Sequence, residues 1–131
     1  MRFRQTPAIV MLAALAMPPA LAHHGQAAYT RETVTLQATV TEFRFINPHA
    51  QLAFDVETAS GKVERWTGAM TAPNKLARAG WTKTTLKPGD EITITGRPGR
   101  NDAHAMHIMQ IVMADGRPLQ MREMLDGQVL P

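Results

Sequence analysis

The sequence predicts an all-β protein with one short helix: a small OB-fold-like barrel of five to six strands behind a cleavable leader. Three observations predict it. Short runs of alternating apolar and polar residues fill the chain from Thr33 to Ala114. One stretch, Thr71 to Gly80, breaks that period, and it falls between the third and fourth runs. The first run is long and changes phase partway, as a strand must when it bends round a closed barrel. Strand, strand, strand, helix, strand, strand is the element order of the OB-fold, a five-stranded Greek-key barrel. A plain β-sandwich is the main rival, and the single helix favours the barrel.

In the first run, Val34, Leu36, Ala38 and Val40 take one face and Thr33, Thr35, Gln37, Thr39 and Thr41 the other. Phe43 and Phe45 then stand at odd positions, so a bulge is expected near Thr41-Glu42. Asn47-Pro48-His49 ends the run in a turn. The second strand points Leu52, Phe54 and Val56 inward and Gln51, Asp55 and Glu57 outward. Ala59-Ser60-Gly61-Lys62 reads as a hairpin turn, and a third strand runs from Val63 to Ala69 with Trp66 on it. Thr71 is the expected helix cap, with Pro73 in the first turn. Leu76, Ala77 and Ala79 form its apolar side, and Gly80 suits the position just past its end. Trp81 follows and is expected to pack on the barrel.

Leu86-Lys87-Pro88-Gly89-Asp90 has Pro and Gly in type II order. The fourth strand is Glu91 to Gly96 with Ile92 and Ile94 inward, and Arg97 to Ala103 is a loop. The fifth strand, about Ala105 to Ala114, is apolar on both faces and should be covered on both, by the arm or the tail. The expected core is Leu36, Val40, Leu52, Phe54, Val56, Ile92, Ile94 and Ile111. The predicted organisation is a leader over residues 1–22, an extended arm over 23–32, a barrel domain over 33–120 and a flexible tail over 121–131.

The leader reading rests on Arg2 and Arg4, the apolar run Ala8 to Met17, Pro18-Pro19 and the small-x-small site Ala20-Leu21-Ala22. No later stretch approaches the ~20 apolar residues of a membrane span. A periplasmic or secreted domain is the expectation. Cut after residue 22, the 131-residue chain leaves 109, enough for one small domain. The 14 basic side chains include Arg2 and Arg4; without those two the balance is 12 against 11 acidic. That near-neutral balance, with no Lys/Arg cluster, argues against a nucleic-acid partner. The chain has no cysteine, which excludes disulfides, thiolate metal sites and thiol nucleophiles.

The chain also resembles a bacterial exported family known as domain of unknown function 6152. The matching pieces are Ala22-His23-His24, Asn47-Pro48-His49-Ala50, Trp66, Pro73-Asn74 with Leu76, Gly80-Trp81 and Leu86 to Glu91. The resemblance implies export, a small β-barrel and no established activity. One departure is Ala69, where the resemblance leads one to expect a Glu in the segment after Trp66.

The candidate chemistry lies in five histidines: His23, His24, His49, His104 and His107. Cleavage after Ala22 makes His23 the amino terminus, where the α-amine and imidazole can chelate one ion. Both lose their protons readily near neutral pH. An OB-fold takes ligands on the face of its second and third strands and on the loops joining strands one–two and four–five. His49 belongs to the first of these loops; His104 and His107 stand at the end of the second. An arm bearing His23 and His24 is long enough to fold over the same rim. A nitrogen-only set with few carboxylates nearby, Asp102 excepted, points to copper, with zinc second. Against this, His49 can serve by hydrogen-bonding across its own turn. On a strand His104 and His107 face opposite ways, so only one reaches the site unless Ala103–Ala105 is still loop.

Met106, Met109 and Met113 would suit Cu(I) but read first as core fillers. Trp66, Trp81 and Tyr29 read as core and arm anchors, and Asp55 and Glu57 as solvated surface. No nucleophile elbow or phosphate loop is present, so a binding protein, not an enzyme, is expected. An amino-terminal His on copper resembles the histidine brace of copper monooxygenases, but the sequence supplies no substrate groove. The second reading is a metal-free OB module binding a small ligand, a glycan or a periplasmic protein partner.

Overall fold

The computed structural model describes residues 28–122, together with the backbone of residues 124–125 and 128–129. The expected leader, His23, His24 and the first half of the arm lie outside the described residues, as does most of the tail.

The chain builds β1 (Val34–Arg44), β2 (Gln51–Glu57), β3 (Val63–Ala69), α1 (Pro73–Arg78), β4 (Glu91–Pro98), β5 (Ala105–Met113) and β6 (Pro118–Leu119). A hairpin of β7 (Met124–Leu125) and β8 (Gln128–Val129) pairs with itself. The main sheet runs β3-β2-β1-β4-β5-β6, and a further β3–β5 pairing closes its first five strands into a barrel. That closing pairing is parallel, through Thr67↔Ala105, Gly68↔Met106 and Ala69↔His107. β6 adds a short strand outside the ring, on the far end of β5. The order is that of the OB-fold.

β1 makes the closure possible. Its first half pairs with β4, from Val34↔Gly96 to Thr39↔Glu91. Its second half pairs with β2, from Thr39↔Asp55 to Arg44↔Gln51. Between Val40↔Phe54 and Glu42↔Ala53 the register slips, leaving Thr41 as the extra residue. The slip turns the inward face from even positions (Ala38, Val40) to odd ones (Phe43, Phe45). The Lys87–Asp90 turn docks at the same place: Gly89 N–H donates to Val40 O, 2.8 Å, and Val40 N–H to Asp90 O, 2.9 Å. Asp90 N–H closes the turn on Lys87 O, 3.1 Å, with Gly89 at φ 93°, as type II requires.

A second bulge was not legible in the sequence. β4 and β5 pair as Thr95↔Gln110 and then Gly96↔Ile108, leaving Met109 unpaired. Met106 and Ile108 therefore face the core before it and Ile111 after it. The expectation that both faces of the fifth strand are covered needs correcting: Met109 is 46% exposed. Gly96 permits the tight approach, since a Cβ there would press on the His107 carbonyl.

The helix start also differs from expectation. The cap is Ala72, not Thr71, and it makes no side-chain cap bond. Pro73 and Leu76 are buried, Ala79 half-buried and Ala77 exposed, so the apolar side is narrower than the spacing implies. The end is a Schellman motif. Gly80 N–H donates to Ala77 O and Trp81 N–H to Leu76 O, both 3.0 Å, with Gly80 at φ 91°. Trp81 and Leu76 are both buried, which is the apolar contact that accompanies this motif. The Trp81 indole N–H donates to the Gln120 carbonyl and ties the β6 segment to the helix.

All expected core residues are buried except Leu36, which is half-buried against the others. Met70, Leu86, Met106, Ile108 and Leu119 are also part of the core.

Candidate metal and ligand site on the barrel rim

The arm reaches the barrel through Ala28 to Thr30. Tyr29 bridges Gly99, and Thr30 N–H donates to Pro98 O, 2.8 Å. Arg100 holds the arm from the other side: its backbone N–H donates to Ala28 O and its Nε to Tyr29 O, both 2.9 Å. These bonds set the Tyr29 ring 5.6 Å from the His107 ring, centroid to centroid. His107 lies on the outward face of β5, half-buried, beside Ala69. Burial first, then the charges of Arg97 and His49, hold its imidazole below the usual 6.5. His49 is exposed in the β1–β2 turn, after the cis Asn47-Pro48 bond, and its charge is felt at His107. The rim thus brings the arm and His107 together, with His49 on the neighbouring turn acting on His107 through its charge alone.

His104 goes elsewhere. β5 begins at Ala105, and His104 just before it turns to the first half of β3. Its Nε2 lies 3.2 Å from Glu64 Oε2, and its ring 5.2 Å from the Trp66 indole. Asp102 Oδ1 accepts the His104 backbone N–H, 3.0 Å. Trp66 stacks in turn on Phe54, centroids 6.3 Å apart. His104 and His107 therefore occupy different surroundings, His104 in the turn before β5 and His107 on the strand. Among the described residues, no three His, Asp or Glu side chains converge as a metal set. Any such set at the rim would need ligands from outside the described residues.

Beside His107 lies a groove of about 290 Å³ that sequence reasoning did not locate. Ala53, Ala69 and Ala105 make its floor, and Tyr29, Glu42, Arg44 and Gln51 flank it. Period-2 alternation was the available signal, since it points Gln51, Ala53, Thr67 and Ala69 outward. Arg44 Nη1 donates to Gln51 Oε1, 3.4 Å, across the β1–β2 pairing. Ala69, the position where the resemblance leads one to expect a carboxylate, leaves the groove unfilled next to His107. Asp55, on the outer surface as expected, accepts from the exposed Arg65 Nε at 2.5 Å.

Fold and rim together define a small closed β-barrel of OB type, with a groove on the face of its second and third strands. The chain belongs to the family of unknown function DUF6152, whose profile matches residues 10–107. A search of curated proteins finds no match to the chain. Among solved structures it is similar to one described as the crystal structure of the ZRD-deleted mutant of TiaS in complex with agmatine. That similarity has 17% identity and a TM-score of 0.43, and covers 73% of this chain and 29% of the other.

Proposed function

We propose that this is an exported, non-enzymatic binding protein that captures Cu(II), with zinc the second choice, at the rim formed by its mature amino terminus, His107 and His49. The observation that carries the reading is the Tyr29–His107 contact. Five residues, 23–27, precede the anchored Ala28 in a chain that starts at His23, a reach of at most roughly 17 Å. An α-amine and imidazole on so short a tether are presented to His107 at high effective concentration. Burial favours the neutral form of His107, the state in which imidazole binds a metal. His24 supplies a further nitrogen, and His104, engaged with Glu64, is assigned no ligand role.

The test is Cu(II) titration of untagged protein starting at His23. A one-residue Ala or Gly extension ahead of His23, His107→Ala and His49→Ala should each weaken binding, whereas His104→Ala should not. Equal affinity in all of them defeats the proposal.

The groove supports the second reading, a metal-free module for a small ligand, glycan or periplasmic protein. Its site would be Tyr29, Arg44 and Gln51 over the alanine floor. Filling that floor with Ala53→Leu separates the two, because it blocks the groove and leaves the histidines in place.

A further inference from the structure

We infer that Met109 and Met121 form a separate site for a soft monovalent ion, Cu(I) or Ag(I). Three observations lead to it. Met109 is the unpaired residue of the β5 bulge, and its large apolar side chain stands exposed. Bulges re-aim side chains, and they are over-represented next to functional sites. Met121, packed half-buried after β6, lines the same cavity of about 350 Å³. The rest of that lining is Thr95, Gln110, Pro118, Leu119, Gln120 and Arg122. It holds no carboxylate and no imidazole, so a hard or borderline dication finds no anionic or nitrogen ligand there. Thioethers select soft ions, Cu(I) foremost. The site takes up the ion already reduced and involves no electron transfer. It stands independently of the histidine rim.

The experiment uses the chain from His23 to Pro131 with ¹³C-labelled methionine methyl groups, titrated with Ag(I) as a redox-silent probe. The Met109 and Met121 methyl signals should move together and saturably, while that of buried Met106 stays. M109L and M121L conserve volume and identify the two signals. Each should abolish the saturable shift of the remaining partner, or weaken it roughly tenfold or more. A shift of Met109 alone without saturation would mark a lone surface thioether and overturn the inference. So would silver uptake that moves only histidine signals, or a double variant that binds like the parent.

Discussion

Phe54 shows how far a single residue can be read. Alternation places it inward, the fold buries it completely, and Trp66 stacks on it. Phe54→Ala should cost about 3–5 kcal/mol, measured by urea unfolding; a loss under about 1 kcal/mol would mean the site is not a packed core position. His107 is the contrasting case, since its surroundings come from distant chain. Burial, Arg97 and His49 lower its pKa from 6.5 in the native state. The unfolded chain therefore binds more protons as pH falls below about 6.5. Stability from this group is full above that value, falls as pH drops toward the lower native pKa, and levels off below it. His107→Gln should flatten this part of the profile in metal-free protein. An unchanged slope in the variant's unfolding midpoints between neutral and mildly acidic pH would assign the effect to other groups. Nothing in the sequence announces the burial of His107 or the approach of Arg97, so the shift was not legible there.

At the scale of elements, period and phase were enough to locate all five barrel strands and the β1 bulge. The phase change to Phe43 and Phe45 carried that information because both remain apolar after the slip. The β5 bulge escaped because Met106, Ile108, Met109 and Ile111 are apolar on either side of it, and uniform hydrophobicity hides a change of face. The helix start escaped for another reason: Thr71 is a better cap than Ala72, but the chain enters the helix one residue later. Ala72 already has the extended backbone a cap needs, at φ −64° and ψ 147°. Ala72→Ser should therefore stabilise the protein by roughly 0.5–1 kcal/mol, visible as a raised melting temperature. At the other end, Gly80→Ala should cost roughly 1–2 kcal/mol for the positive φ alone, because an added methyl meets nothing within 4 Å. A neutral result there would mean the Schellman ending does not fix the helix in solution.

For the whole molecule, the barrel is held by pairings between distant segments, and the rim is where three of them end. The arm arrives through Arg100 and Pro98, the β1–β2 turn brings His49, and the closing β3–β5 pairing fixes His107 beside Ala69. Loop position in the predicted fold was enough to group His49 with His107. It also grouped His104 with them, and only the contact with Glu64 and Trp66 separates it. Tyr29, read from sequence as an arm anchor, is what joins the described part of the arm to this rim. The account therefore depends on an arm that delivers a free amine and imidazole to His107. The most direct measurement is the metal content of the untagged protein isolated from outside the cytoplasm, beside the same protein carrying His107→Ala. The account predicts about one copper per chain retained through dialysis in the first and little in the second. Copper-free native protein that also shows no saturable Cu(II) binding would contradict it.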